Sequence, residues 1–263
     1  MTDQTVERLD LRLVQFGLVA TRSRARDLVK RGFVEIDGET VTSPAQKVDV
    51  CAEIRIRENV DRYVSRGAFK LIHALDHFDF SPAGRICLDL GASTGGFTQV
   101  LLERGADRIW AVDVGQDQLH PDLVNEQRVC SLEKTNARSL QHADVDHDPI
   151  EAIVADLSFI SLTEIIEPAL NMTTHEAWAI LLVKPQFEVG PKHVGKRGIV
   201  RDYKMQHEAV DRVSNAVRVC RGWTVIDTIP SPIAGKRGNQ EFLLGARRQA
   251  TGGISPASPE ANN

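Results

Sequence analysis

The sequence predicts an α/β protein in which a mostly parallel sheet of about seven strands, with helices on both faces, follows a small α+β module. Three observations predict it. From Arg85 onward, apolar runs of strand length alternate with amphipathic stretches, the pattern of strands joined by crossover helices. A glycine-rich segment follows the first of these runs directly. Before residue 60, apolar residues recur twice with helical spacing and then alternate with period two.

Composition bounds what such a chain can do. With 263 residues, 42% of them hydrophobic, it can bury one sizeable core and a satellite domain. A formal net charge of -4 provides no global field for nucleic acid or an anionic membrane, so any such binding must come from local patches. Cys51, Cys87, Cys130 and Cys220 are widely spaced and form no Cys-x-x-Cys pair, which predicts idle thiols in a reducing, cytoplasmic setting and no zinc site. The segment Met1 to Leu11 lacks the apolar core of a secretory signal. The longest apolar run, Ala177 to Val183, is far short of the roughly 20 residues of a membrane helix. No membrane or metal partner is expected, and a monomer is the favoured state.

Residues 1–60 are expected to form the first domain. Val6, Leu9, Leu13, Val14 and Phe16 predict a helix stopped by Gly17. Thr21 can cap a second helix running to Arg31, where Arg22, Arg24, Arg26, Lys30 and Arg31 meet one acid, Asp27. Phe33 to Ile36, the Asp37-Gly38 turn and Glu53 to Arg57 predict a small hairpin. The module contains ten Lys/Arg and ten Asp/Glu, so its basic residues matter only by crowding one helix. Arg8, Arg22, Arg24, Lys30 and Arg31 are the candidate RNA contacts. The stretch Glu7-Arg-Leu-Asp10, Thr21-Arg-Ser-Arg24, Val29-Lys-Arg-Gly32 and Val34-Glu-Ile-Asp-Gly38 resembles the alpha-L RNA-binding motif, and the resemblance implies RNA binding.

Residues 61–64 read as a linker, and Ser65 as the cap of a helix with the stripe Ala68, Leu71, Ile72 and Leu75. Strands are predicted at Ile86 to Leu90, Ile109 to Val114, Ala152 to Leu157, Ala177 to Val183, Thr224 to Ile229 and Glu241 to Leu244. The second domain is placed at 65–248. The Gly, Ser, Pro, Ala and Asn-rich segment 249–263 is expected to be a disordered tail.

The chemistry concentrates at the carboxyl ends of these strands. Gly91-Ala-Ser-Thr-Gly-Gly-Phe97 follows the first strand, where an open sheet binds ligands. Asp113 ends the next strand about 20 residues on, the place of an acid that grips a ribose diol. The loop is Gly-x-x-x-Gly-Gly, unlike the Gly-x-Gly-x-x-Gly of a pyrophosphate site. Asp89 would repel a pyrophosphate and suits a cationic cofactor, which points to S-adenosylmethionine. Candidate cofactor residues are Asp89, Gly91, Ser93, Gly95, Gly96, Phe97, Asp113 and Asp156. Asp156 and Lys184 close neighbouring apolar strands, and a strand-end lysine escapes desolvation cost by meeting such a carboxylate.

Asp89-Leu-Gly-Ala-Ser-Thr-Gly-Gly-Phe97, Ala155-Asp-Leu-Ser-Phe-Ile-Ser161 and Leu182-Val-Lys-Pro-Gln-Phe-Glu188 resemble the TlyA family of ribosomal RNA 2′-O-methyltransferases, also called haemolysin A. That family is similar to FtsJ-type methyltransferases, whose catalytic set is Lys-Asp-Lys-Glu. The resemblance implies Lys70, Asp156, Lys184 and Glu241 as catalytic residues, Asn136 near the adenine, and ribosomal RNA or a ribosomal subunit as partner. On this reading Lys184 orients the ribose hydroxyl and deprotonates or stabilises it, Asp156 and Glu241 hold Lys184, and Lys70 positions the nucleotide. No metal is needed. The loops with Lys192, Lys196 and Arg197, and with Lys236 and Arg237, are expected to form an RNA-facing rim. A membrane-active haemolysin and a non-catalytic RNA-binding assembly factor are the competing functions.

Overall fold

The computed structural model describes residues 6–30, 32–49, 51–56, 62–235 and 238–250. In the N-terminal part, β1 (Val6–Arg8) leads into α1 (Leu9–Gln15) and α2 (Arg22–Lys30), followed by β2 (Val34–Ile36), β3 (Glu39–Val41), β4 (Lys47–Asp49) and β5 (Ile54–Ile56). The expected first helix therefore starts late: Val6 to Arg8 is extended because it pairs antiparallel with Lys47–Asp49, a partner invisible to local periodicity. The second helix begins as expected, with Thr21 Oγ1 accepting from the Arg24 N–H at 3.2 Å. Asp37 and Gly38 both take positive φ, 50° and 84°, as a type I′ hairpin turn requires. The sheet around that turn has three strands, in the order β3-β2-β5. Leu9, Leu13, Leu28, Val29, Phe33 and Val34 fill its core.

The larger part contains α3 (Gly67–Phe78), β6 (Ile86–Leu90), α4 (Gly96–Glu103), β7 (Arg108–Val112), α5 (Pro121–Val124), β8 (Val129–Leu132), β9 (Ile150–Ala155), α6 (Ile166–Asn171), β10 (Thr173–Val183), α7 (Pro185–Glu188), α8 (Tyr203–Val219), β11 (Trp223–Pro230) and β12 (Phe242–Arg248). Seven strands form one sheet in the order β11-β12-β10-β9-β6-β7-β8. Five of them are parallel, and β12 pairs antiparallel with both β10 and β11. β8 escaped the strand assignments because Val129 to Leu132 is a short, half-buried edge.

Alternate residues of the strands bury on opposite faces. Leu88, Ile153 and Leu181 pack with Ile166, Leu170, Val213 and Val217 of α6 and α8. Cys87, Val154 and Leu182 pack with Leu71, Leu75, Val100 and Leu101 of α3 and α4. Ser65 does not cap α3: Arg66 occupies the cap position and no side chain bonds there.

The two parts are tied together. Phe33 meets Phe69 edge to face at 5.4 Å, Tyr63 meets Phe69 at 5.3 Å, and Arg66 donates to the Lys30 carbonyl at 3.4 Å. The segment 62–64 is pinned to α4: Val64 N–H donates to Gln99 Oε1 at 2.9 Å, and Arg62 and Tyr63 both reach Glu103. Among the described residues no helix is long and apolar enough to cross a membrane, and no group of His, Cys, Asp and Glu could hold a metal ion. The predicted tail lies, from residue 251, outside the described residues.

Candidate active site

The sheet topology brings four separated segments to one edge. Gly91 follows β6, Asp156 follows β9, Lys184 follows β10 and Glu241 precedes β12. Because Val183 pairs with Phe242, Lys184 and Glu241 stand at the same end of adjacent antiparallel strands. Lys70 arrives from the first turn and a half of α3, which packs across the same edge. All four residues line one cavity of about 500 Å³, together with Gly91, Ser93, Gly96 and Phe97 of the glycine loop.

The charges form two pairs rather than one lysine between two acids. Lys184 Nζ lies 2.6 Å from Asp156 Oδ1 and donates to Ser158 Oγ at 2.8 Å. Lys70 Nζ lies 2.5 Å from Glu241 Oε2, and both side chains are buried. The expectation that Glu241 holds Lys184 is thus corrected: the helix places Lys70 directly over Glu241, and a buried carboxylate pairs with the cation it can reach. Arg66, absent from the expected set, lines the same cavity. Burial lowers its pKa from the usual guanidinium value, and Glu241 and Asp156 oppose that shift.

The glycine loop is shaped by close approaches. Gly91 has φ 82°, and a Cβ there would sit 2.7 Å from the Asp156 carbonyl oxygen. Gly95 has φ 94°, and its Cβ would meet Leu123 Cδ1 at 2.1 Å. Gly95 therefore serves loop packing against α5 and does not line the cavity.

Asp89, Asp113 and Asn136 also lie off the cavity wall. Asp89 is fully buried; Thr98 Oγ1 donates to its Oδ2 at 2.6 Å, while Oδ1 has no partner among the described residues. Burial pushes its carboxyl up to about 7, against the hydrogen bond from Thr98. Asp113 accepts the backbone N–H groups of Ser93 at 2.9 Å and Gly115 at 2.7 Å, so it fastens the glycine loop to the end of β7. Asn136 caps the short helical turn that follows, accepting from Arg138 N–H at 3.0 Å.

Ser158, Phe159, Gln186, Phe187 and Asn239 also line the cavity; they fall inside the motifs and the loop read from the sequence, but nothing there singled them out as site residues. Phe159 is 91% exposed with φ 68°, and its ring lies 5.4 Å from Phe187 at the cavity mouth. The neighbouring Glu188 braces the two strand-end loops, accepting from Ser161 Oγ at 2.5 Å and Leu162 N–H at 2.9 Å. Burial raises its pKa. Asn239 knits the two expected rim loops together, taking Val200 N–H at 2.9 Å and giving its amide to Gly198 O at 2.7 Å. Lys192, Lys196 and Arg197 are exposed beside that junction, whereas Lys236, Arg237 and, in the first module, Arg31 lie outside the described residues.

The remaining basic candidates differ in how they are engaged. Lys30 is exposed, and Arg24 reaches Asp27 at 3.4 Å. Arg8 and Arg22 are both drawn onto the fully buried Asp10, each at 3.0 Å.

The comparisons with known proteins agree with this geometry. The family model described as FtsJ-like methyltransferase matches residues 63–248, and the S4 domain model matches residues 7–54. The 16S/23S rRNA (cytidine-2′-O)-methyltransferase TlyA of Mycobacterium tuberculosis is 42% identical over 94% of this chain and 92% of its own length. Hemolysin A of Brachyspira hyodysenteriae is 37% identical over 90% of this chain and 98% of its own. A solved structure from Streptococcus thermophilus, 37% identical, superimposes with a TM-score of 0.70 over 94% of this chain and 90% of that one. With an S4 domain ahead of a methyltransferase sheet, and a set of lysine–carboxylate pairs at the sheet edge, the chain belongs to the FtsJ-like methyltransferase family, in the branch that contains TlyA and hemolysin A.

Proposed function

We propose that this protein transfers a methyl group from S-adenosylmethionine to the ribose 2′-hydroxyl of a nucleotide in ribosomal RNA, in the cytoplasm, with the N-terminal module holding the RNA. The observation that carries the reading is the pair of lysine–carboxylate contacts, Lys184–Asp156 and Lys70–Glu241, on the wall that also presents the glycine loop.

The residues fit the cofactor. The backbone at Gly91 and Gly96 comes close enough to its neighbours that no side chain fits, leaving main-chain groups to face the ligand. Asp89, buried behind the loop with one oxygen that has no partner among the described residues, places a negative charge near the site that a cationic ligand favours. Gly91, Ser93, Gly96 and Phe97 would hold it, with Asp113 and Asn136 fixing the loops on the β7 and β8 side. S-adenosylmethionine, when bound, supplies an electrophilic methyl group on its sulfonium.

The rest is the work of the chain. A ribose hydroxyl is a poor nucleophile near neutral pH, so its oxygen must be oriented and its developing charge met by a preorganised donor. Lys184 provides that donor, held in place from two sides by Asp156 and Ser158. The proton leaving the hydroxyl ends on the Asp156 carboxylate, relayed by Lys184, which gives one proton to Asp156 as it takes up the other. Lys70, fixed by Glu241, lines the same cavity and positions the nucleotide. Phe159 and Phe187 offer apolar faces to a base at the mouth.

The test is methyl transfer to purified ribosomal subunits with labelled cofactor, followed by digestion to nucleosides. The expected product is a 2′-O-methylated nucleoside. Label on a base, or no RNA product with a folded, cofactor-binding protein, would refute the reading.

A further inference from the structure

The buried carboxylate of the N-terminal module is engaged more heavily than its own burial requires. Asp10, in the first turn of α1, is completely buried. Arg8 alone meets both of its oxygens, with Nε on Oδ1 and Nη2 on Oδ2, each at 3.0 Å. One bidentate guanidinium already supplies the charge partner that a buried carboxylate needs. Yet Arg22 Nε lies 3.0 Å from Oδ2 as well, and Arg26 Nε lies 4.0 Å from the same atom. Three guanidinium groups from β1 and α2 thus converge on one acid, a local surplus of two positive charges.

The atoms used are informative. Arg22 hydrogen-bonds Asp10 through Nε, Arg8 through Nε and Nη2, and Arg26 Nε stands at ion-pair distance from the same carboxylate. Neither Arg22 nor Arg26 makes a hydrogen bond or ion pair with a described residue other than Asp10, and their side chains remain 49% and 54% exposed. Arg22 and Arg26 are one helical turn apart, so they lie on the same face of α2. The contact with Arg8, reinforced by Arg22 and opposed by burial, lowers the Asp10 carboxyl to about 2, so it remains an anion at any pH at which the protein works. Crowded like charges gain most from an anion that bridges their outward-facing nitrogens, and a fork anchored at Nε loses less freedom when it binds than a free side chain does.

Resting on the ribosomal RNA reading above, we propose that Asp10 is a positioning residue that assembles Arg8, Arg22 and Arg26 into a clamp for the RNA sugar–phosphate backbone. The proposal adds Asp10 and Arg26 to the binding surface and gives Arg22 a fixed orientation. It separates two effects that are usually merged: how much positive charge the module carries, and where its guanidinium nitrogens point.

The experiment measures equilibrium binding of full-length protein to a transcribed ribosomal RNA at constant salt, with melting temperature and S-adenosylmethionine affinity as controls. In Asp10→Asn the net charge becomes more positive by one, so a purely electrostatic surface would bind RNA more tightly. The clamp predicts weaker binding, by about fivefold or more, because the arginines lose their anchor. The charge-preserving double variant Arg22→Lys with Arg26→Lys lies on the exposed face of α2 and tests the same point without touching the buried acid. It is expected to lose affinity by a similar factor, since an ammonium has neither the Nε anchor nor the paired terminal donors. Unchanged or tighter binding by the double variant overturns the clamp, as does tighter binding by a folded Asp10→Asn protein; if Asp10→Asn does not fold, the double variant decides alone. These readouts are independent of where the methyl group goes, so a failure of the ribose reading and a failure of the clamp give different results.

Discussion

Acids and bases are combined in opposite ways at the two ends of this molecule. In the N-terminal module three exposed arginines share one buried carboxylate, leaving surplus positive charge directed at solvent. In the cavity at the sheet edge each buried lysine has its own carboxylate, Lys184 with Asp156 and Lys70 with Glu241. The first arrangement attracts an anion over a surface. The second holds a compact ammonium group at a fixed point while suppressing net charge. On the proposed function, binding and chemistry rest on different charge balances, and substitutions should separate them.

The largest effect is expected at Lys184. Lys184→Ala should lower the single-turnover methyl-transfer rate by on the order of a hundredfold or more while leaving cofactor affinity nearly unchanged. Lys184→Arg should rescue poorly, because a planar guanidinium stays protonated and does not fit the place between Asp156 and Ser158. A near-normal rate in Lys184→Ala would remove this lysine from the chemistry.

The next prediction sets buried pairing against exposed pairing. Glu241→Gln leaves the buried Lys70 without a charged partner and should destabilise the protein by about 3 kcal/mol in denaturant unfolding. Asp76→Asn breaks the exposed pair with Arg104 and should leave the unfolding midpoint unchanged within error. Equal effects of the two would show that burial of the Lys70–Glu241 pair carries no energetic weight.

Cofactor affinity should depend on pH through Asp89, whose carboxyl is raised by burial to about 7. A cationic ligand favours the ionised form, so binding releases a proton when it occurs below that pKa. Affinity should therefore rise by up to about tenfold per pH unit toward neutrality and level off above it. Calorimetry across that range checks the slope, and Asp89→Asn should flatten it. The same measurement applied to Gly95→Val should show lost affinity, through displacement of the loop by Leu123 rather than through filling of the cavity.

The smallest effect is expected in the N-terminal module. Arg22→Ala with Arg24→Ala should weaken RNA binding severalfold and reduce its salt dependence, with cofactor affinity unaltered. An unchanged salt series would mean that these two arginines only solvate α2.

The legible parts of the sequence were those encoded locally. Strand ends at Leu90, Ala155 and Val183 are abrupt switches from apolar residues to glycine, acid and lysine, so the glycine loop, Asp156 and Lys184 could be read from punctuation and period. Lys70 and Glu241 could be read only through resemblance, because nothing near Lys70 announces a partner 171 positions away. For the same reason their pairing with each other was missed. Nothing local marked Asp10 as the meeting point of arginines from β1 and α2, and β1 itself imitated helical spacing. Arg66, Phe159 and Asn239 act through the meeting of loops, which periodicity does not report.

The central claim, that a lysine held by a strand-end carboxylate directs methylation to ribose, is tested most directly by the chemical position of the methyl group. Ribosomal subunits methylated in a single turnover would be digested and their nucleosides separated, for the unaltered protein and for Lys184→Ala side by side. The account predicts a 2′-O-methylated nucleoside from the first and almost none from the second. Methyl groups on a base, or the same 2′-O-methylated yield from both proteins, would contradict it.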